Sequence, residues 1–122
     1  MKRFGFPKSV RLLKPADFDQ VMRRRFSDAD GFVILYAASN QSNMTRLGLI
    51  VSRKCGNAVK RNQWKRSLRE AFRLVASELP TGLDLVVLPR SRATPHVERL
   101  QKSLKTLAER LRRRLEANDS KR

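Results

Sequence analysis

One segment, CGNAVKRNQWKRSLREAFR at residues 55–73, restricts the fold more than any other part of the chain. At 100° per residue, its apolar side chains fall within about 80° of arc, which predicts a helix with one face buried in a core. Asn57 is the expected N-cap of this helix. The apolar residues that recur at helical spacing are Trp64, Leu68, Phe72 and, just beyond the segment, Val75.

The remaining surface of this helix carries like charge that nothing in the segment balances. Lys65, Arg69 and Arg73 stand at i, i+4 and i+8, where each like-charge pair costs an isolated helix about 0.2 to 0.5 kcal/mol. Glu70 is placed to relieve only Arg66 and Arg73. An ordinary solvated face leaves this cost unexplained, whereas phosphates of a nucleic acid would remove it.

The composition of the whole chain points to the same class of partner. Its 28 Lys and Arg exceed its 11 Asp and Glu, and the net charge of +17 predicts a polyanionic partner. Nucleic acid is favoured over anionic lipid, because no apolar run approaches the roughly 20 residues of a membrane-spanning helix. The basic start has no apolar stretch after it, and Cys55 is the single cysteine, so we expect a cytoplasmic protein without an internal disulfide.

The order of predicted elements is α, β, β, α, β, α, an α/β arrangement in one domain. The pattern predicts a helix at residues 15–24, strands at 32–38, 46–53 and 83–88, and a final leucine-striped helix. Thr94 is the expected cap of that last helix and Pro95 its first residue. We expect the domain to span residues 1–117 and a polar tail at 118–122 to fray.

Residues 46–72, RLGLIVSRKCGNAVKRNQWKRSLREAF, resemble the signature of the bacterial ribonuclease P protein component, the family named for its RNR motif. That signature is a strand ending in V-S-[KR]-K, then G-N-A-V, then R-N-x-x-K-R-x-x-R-E. LKPADFDQVM, GFVILYA and GLDLVVLPR also resemble flanking parts of the family, so the likeness covers about nine-tenths of the chain.

The resemblance implies a fold and an activity. The fold is an α+β sandwich with a small mixed sheet, a fourth short strand, and a central basic helix that joins parallel strands by a left-handed crossover. The activity is that of a subunit of the endoribonuclease ribonuclease P, which removes the 5′ leader of precursor tRNA. Catalysis resides in the RNA subunit and its Mg²⁺ ions, so the resemblance implies no protein-bound cofactor and no catalytic side chain.

The resemblance also implies two RNA-binding sites, both carried over residue by residue. The helix and its basic flank would contact the catalytic RNA, and a cleft between that helix and the sheet would take the single-stranded leader. Gln63 replaces the second arginine of the RNR motif, so one phosphate-pairing charge is missing there. The helix and flank residues are Arg53, Lys54, Lys60, Arg61, Asn62, Lys65, Arg66, Arg69 and Arg73; the cleft residues are Phe18, Met22, Tyr36 and Ser52.

Other interpretations remain open from the residues alone. Phe18 and Tyr36 stand at spacings that are more typical of core residues than of a base-stacking site, and only the resemblance favours the latter. A general RNA-binding or ribosomal-type protein would share the basic helix. The leucine stripe of the last helix could serve dimerisation, although core packing is its commoner use. A protein nuclease is disfavoured, because the acids are scattered and neither His96 nor Cys55 has a partner at catalytic spacing.

Overall fold

The computed structural model describes residues 8 to 120, which form a four-stranded mixed sheet with helices on both faces. The helices are α1 (Pro15–Arg24), α2 (Ala58–Val75) and α3 (Val97–Ser120). The strands are β1 (Ser27–Ala29), β2 (Val33–Ser39), β3 (Arg46–Leu49) and β4 (Leu83–Pro89). Short 3-10 turns occupy Lys8–Val10, Arg53–Cys55 and Ala76–Glu78.

The strand order across the sheet is β1-β2-β4-β3. The β1–β2 and β2–β4 pairs are antiparallel, and β3 and β4 are parallel. Since parallel neighbours need a crossover, α2 is the helix that carries the chain from β3 to β4. The predicted mixed α/β fold with a central basic helix is therefore confirmed, and the hand of the crossover stays an expectation of the resemblance.

The fourth strand, β1, is the polar tripeptide Ser27–Ala29, which has no apolar alternation to reveal it. Its position is set by the turn that follows, where Asp30 accepts hydrogen bonds from the amides of Phe32 and Val33. Asp30 also accepts a hydrogen bond from the buried hydroxyl of Ser103 on α3. This carboxylate therefore fastens the β1–β2 hairpin to α3.

The alternation along β2 and β4 separates two apolar cores. One face carries Val33, Leu35, Leu85 and Val87, which pack against α2 and α3 in the larger core. The opposite face packs against α1 through a smaller cluster around Val21 and Val86. As a result, α1 and α2 lie on opposite faces of the sheet.

An ion pair at the start of β3 and β4 ties three elements together. Arg46 on β3 donates from Nε to Asp84 Oδ1 at 2.8 Å and from Nη2 to Asp84 Oδ2 at 2.7 Å, and Asn40 also donates to this carboxylate. The Nη1 atom of Arg46 lies 3.9 Å from Asp17 on α1. Asp84 lies on β4 between β2 and β3, so this ion pair is formed within the sheet and not at its edge.

Three predicted boundaries differ from the structure by more than one residue. The strand predicted at residues 46–53 ends at Leu49, because the chain leaves the sheet after the amide of Ile50 donates to Val87. The last helix begins at Val97, two residues after Pro95, and the carbonyl of His96 accepts from the amide of Leu100. It continues through Ser120 over most of the tail that was expected to fray, and residues 121 and 122 lie outside the described part.

Both edges of the sheet have neighbours. At the β3 edge the amide of Leu12 donates to the carbonyl of Leu47 at 3.0 Å, and Arg11 forms a parallel bridge with Leu47. At the β1 edge Arg114 on α3 donates to the carbonyl of Ser27. The segment before α1 and a side chain of α3 thus cover backbone groups that would otherwise face solvent.

Candidate nucleic-acid interface

The buried face of α2 is the predicted one. Trp64 and Leu68 are fully buried, and Phe72 and Val75 are nearly so, all within the larger core. Asn57 caps the helix, since its Oδ1 accepts from the amide of Lys60 at 3.0 Å. The helix is therefore held by packing on one side, and its cationic residues are directed to the other.

The residue before this cap must be glycine for two reasons. Gly56 has a φ of 124°, which side chains with a Cβ rarely adopt. A Cβ at Gly56 would also meet Cβ and Cγ of Lys60 at 2.9 Å. The aliphatic part of Lys60 therefore lies over the glycine turn, at the point where α2 begins.

The cations of α2 and its flank are mostly unpaired. Glu70 binds Arg73, with Nε donating to Oε1 at 2.9 Å, and this hydrogen bond lowers the pKa of Glu70. Arg66, which sequence reasoning also placed within reach of Glu70, is not bonded to it. Within residues 8 to 120 the following have no carboxylate within salt-bridge distance: Arg53, Lys54, Lys60, Arg61, Lys65, Arg66 and Arg69.

Helix α3 is also rich in arginine, but four of its cations are paired with carboxylates within the fold. Arg112 is bonded to both Glu109 and Glu116, and its hydrogen bond lowers the pKa of Glu109. Further pairs join Arg113 to Glu109, Lys105 to Glu78 and Arg110 to Asp28. The two helices look alike in composition, yet four cations of α3 have a carboxylate partner, whereas among the described residues Arg73 is the one cation of α2 that does.

A groove of about 610 Å³ runs along α2 beside the start of α3, with Val97 as its α3 contribution. It gathers part of the predicted RNA-binding set on one surface. The predicted residues that line it are Asn62, Lys65, Arg66, Arg69 and Arg73. We call the nine predicted residues of α2 and its flank the α2 surface: Arg53, Lys54, Lys60, Arg61, Asn62, Lys65, Arg66, Arg69 and Arg73.

The predicted cleft residues lie on the other face of the sheet. Phe18 and Met22 on α1 and Tyr36 on β2 are half-buried around the smaller core, so these predicted residues lie between α1 and the sheet. The expectation of a cleft between α2 and the sheet is wrong, because α2 occupies the opposite face. Tyr36 pairs with Val86 in register, and Val86 pairs with Gly48, so these three form one row beneath α1.

The next row of the sheet forms an apolar floor that sequence reasoning missed. Ile34 pairs with Leu88, and Ile50 follows β3 on the same face; all three are only half-buried. Each of these residues lies two positions along the chain from Tyr36, Val86 or Gly48. This alternation is the sequence signal from which the floor could have been predicted. We call the α1 cleft the surface formed by Phe18, Met22, Tyr36, Ile34, Leu88, Ile50 and Ser52.

Ser52 stands at the far end of this floor. It is exposed and lines a groove of about 620 Å³ together with Ile34 and Lys54. The loop between β4 and α3 supplies two further cations to this groove, Arg90 and Arg92. Ser52 and Lys54 are thus close to each other, which brings one end of the α1 cleft next to the flank of α2.

The described acids, histidine and cysteine do not gather into a metal site. No three His, Cys, Asp or Glu side chains within residues 8 to 120 come together as a metal site. Cys55 is buried, with Sγ 3.8 Å from the carbonyl of Pro89, and His96 is exposed. Within the same part of the chain, no helix has the length and apolar character needed to cross a membrane.

Comparison with known proteins identifies the family. The model of the family described as Ribonuclease P matches residues 6 to 112. The chain belongs to the ribonuclease P protein family. The ribonuclease P protein component of Chlamydia trachomatis serovar L2 (strain 434/Bu) is 40% identical over 105 residues, covering 85% of this chain and 87% of that protein. The component from Brevibacillus brevis is 43% identical over 84 residues, covering 68% and 67%.

Solved structures agree with this assignment. A mutant of the Staphylococcus aureus RNase P protein superposes with a TM-score of 0.75 at 33% identity, covering 86% of this chain and 90% of that one. The RNase P protein from Thermotoga maritima gives a TM-score of 0.72 at 32% identity, covering 82% and 96%. The chain is thus a protein subunit of ribonuclease P, an endoribonuclease of tRNA processing that works with an RNA subunit.

Proposed function

We propose that the α2 surface binds the catalytic RNA of ribonuclease P. The observation that carries this proposal is the contrast between α2 and α3: among the described residues only Arg73 of the α2 cations has a carboxylate partner, whereas four cations of α3 have one. Arginine guanidinium groups form paired hydrogen bonds with phosphate, and Asn62 adds an exposed amide for a sugar or base. Bound RNA would supply the anions that the fold does not.

The α1 cleft is proposed to hold the 5′ leader of precursor tRNA. Its half-buried rings and apolar floor suit unpaired bases, because stacking on an aromatic ring tolerates any base and is worth about 1 to 3 kcal/mol per base. Leaders differ in sequence between tRNAs, so tolerance of this kind is what the site requires. Met22 offers a thioether in place of a second ring, and we expect weaker stacking at that position.

Chemistry is assigned to the RNA subunit and its Mg²⁺ ions. The protein would act by holding the leader and the catalytic RNA on neighbouring surfaces, which Ser52 and Lys54 bring into contact in one groove. Positioning of this kind lowers the entropic part of the barrier without a catalytic side chain. Since bacterial precursor tRNA is made in the cytoplasm, we expect the subunit to act there.

The test is cleavage of precursor tRNA by a bacterial ribonuclease P RNA at low Mg²⁺, with and without this protein. Substrates with and without a 5′ leader should be bound in parallel. Stimulation of cleavage together with tighter binding of the leader-bearing substrate is expected. Tight binding to the catalytic RNA with no stimulation would contradict the proposal and leave a general RNA-binding role.

A further inference from the structure

Three consecutive arginines end helix α1, outside both surfaces described above. Arg23, Arg24 and Arg25 are all exposed, and within residues 8 to 120 none has a carboxylate, ring or hydrogen-bond partner for its side chain. Arg25 closes the helix with a φ of 60°, and its amide donates to the carbonyl of Met22. The backbone of the triplet is therefore fixed, while its guanidinium groups have no partner among residues 8 to 120.

Helix capping does not account for all three charges. A cation near a helix C-terminus is favoured by the helix dipole, but neighbouring cations there repel one another. Other arginines at this edge of the sheet are already used, since Arg110 pairs with Asp28 and Arg114 donates to Ser27. The triplet is left as a local excess of positive charge.

The direction of α1 places this excess at one end of the α1 cleft. The helix starts near β3, where Asp17 lies 3.9 Å from Arg46. It ends near β2, because the amide of Ala37 donates to the carbonyl of Phe26, which directly follows the triplet. With neighbouring strands about 4.8 Å apart, the three steps from β3 to β1 span about 14 Å, so the triplet beside β1 stands on the far side of the sheet from β3.

We propose that Arg23, Arg24 and Arg25 bind phosphates of the distal leader, the nucleotides upstream of those held in the α1 cleft. The inference rests on the proposed function. On that proposal the leader enters beside Ser52 and the α2 flank and crosses the apolar floor. It then leaves over β1, where the arginine triplet is the next cationic group. Single-stranded RNA is held in this way when bases stack on apolar groups and cations follow the backbone. The triplet adds affinity only to leaders long enough to reach it.

The experiment measures the affinity of the assembled ribonucleoprotein for precursor tRNAs with no leader, a short leader that ends within the cleft, and a long leader that passes β1. The variant combines Arg23→Gln, Arg24→Gln and Arg25→Asn, because asparagine tolerates the left-handed backbone at that position. The control combines Lys105→Gln, Arg112→Gln and Arg113→Gln, which removes the same charge from α3. Thermal unfolding of both variants reports on their folding.

For the wild type, we expect the long leader to bind more tightly than the short one. The arginine variant should lose about tenfold in affinity for the long leader, as three exposed ion pairs predict, and keep its affinity for the short leader. For the arginine variant and the long leader, the slope of log K against log salt concentration should become shallower by about 2. The α3 control should leave the difference between long and short leaders unchanged.

Other outcomes would overturn the inference. If the wild type binds the short leader more tightly than leaderless tRNA, but the long leader no more tightly than the short one, the proposed function stands and the distal site is ruled out. If the arginine variant loses the same affinity for all three substrates, the loss reflects its lower net charge and not a site for the distal leader. A variant that binds the catalytic RNA alone more weakly would assign the triplet to that RNA. A wild type without any leader preference would overturn the α1 cleft and this inference together.

Discussion

The ring of Phe18 lies so close to the backbone of Gly48 that a Cβ on the glycine would meet the ring's Cε1 at 2.5 Å and Cζ at 2.7 Å. Gly48 is buried in β3, and the neighbouring Leu12 Cβ would be met at 3.0 Å. The absence of a side chain on β3 thus creates the space in which the ring is seated. The position of Phe18 in the α1 cleft therefore depends on a residue of another element.

Gly48→Ala is therefore expected to displace Phe18 and lower the free energy of unfolding by about 1 to 3 kcal/mol, the usual cost of overpacking. The preference for leader-bearing substrate should fall with it. Gly31→Ala is the matched control, since a Cβ there meets nothing within 4 Å. Equal stability and equal leader preference for the two variants would show that the ring is not seated on Gly48.

Phe18→Ala should reduce leader preference by about tenfold, as expected for the loss of one stacked base. Phe18→Leu separates stacking from packing, because it keeps much of the apolar volume between α1 and β3 without an aromatic face. We expect Phe18→Leu to unfold close to the wild-type temperature and still lose most of the preference. If Phe18→Leu retains the preference, the ring serves the core alone.

Arg66→Ala and Arg69→Ala should each weaken assembly with the catalytic RNA and reduce its salt slope by about 1, with little change in stability. Neither side chain has a carboxylate partner among residues 8 to 120, so truncation removes no ion pair within that part of the protein. Arg113→Ala on α3 removes the same charge from an arginine bonded to Glu109. An equal effect of all three variants would mean that total charge, not the α2 surface, determines RNA affinity.

Arg46→Ala should lower the free energy of unfolding by about 2 kcal/mol, because it leaves the carboxylate of Asp84 buried without its two charged hydrogen bonds. Chemical denaturation measures this loss. Arg46→Lys keeps the charge but lacks the planar fork, so we expect an intermediate value. The control is Lys105→Ala, whose exposed pair with Glu78 is worth under about 1 kcal/mol. Comparable losses for Arg46→Ala and Lys105→Ala would contradict this account.

Asp30 gives the stability a dependence on acid pH. Burial raises the pKa of this carboxyl, but hydrogen bonds from Ser103, Phe32 and Val33 and the charge of Arg90 outweigh burial and hold the pKa below its ordinary value. The unfolded chain therefore binds the proton more tightly, so this contribution is complete above the unfolded pKa of about 4 and is lost as pH falls through the folded value.

Measured between neutral pH and pH values below about 4, the free energy of unfolding should fall less in Asp30→Asn than in the wild type. The side-chain amide of this variant retains an oxygen acceptor for the turn but cannot titrate in this range. The control is Asp19→Asn, which makes the same substitution at an exposed position of α1. We expect the stability of this variant to change with pH as that of the wild type does. A wild-type pH dependence in Asp30→Asn would remove Asp30 as its source.

Much of the fold was accessible from the sequence because apolar periodicity is a local signal. The bounds of α1 and the buried stripe of α2 follow from spacings of three and four residues, and the Asn57 cap follows from its place before that stripe. The strand β1 was not accessible in this way, since its three residues depend on the Asp30 turn and on Ser103, far along the chain. The resemblance alone implied a fourth strand.

The site residues also separate into those that local spacing predicts and those that depend on tertiary packing. Charge spacing indicated the cationic face of α2, and the resemblance added its flank. Composition could not reveal that four cations of α3 are paired with Glu109, Glu116, Glu78 and Asp28. Likewise, the face on which the α1 cleft lies depends on which helix covers which side of the sheet. That information resides in the packing of elements distant in sequence, so the floor formed by Ile34, Leu88 and Ile50 became apparent only in three dimensions.

The covered edges of the sheet affect how the protein behaves before it meets RNA. An open strand edge is a template on which another chain can add a strand, and such addition leads to aggregation. Here Leu12 occupies the carbonyl of Leu47 on one side, and Arg114 occupies that of Ser27 on the other. At these positions a second copy would have to displace an existing contact before it could add a strand, so each covered carbonyl works against association through the sheet edges.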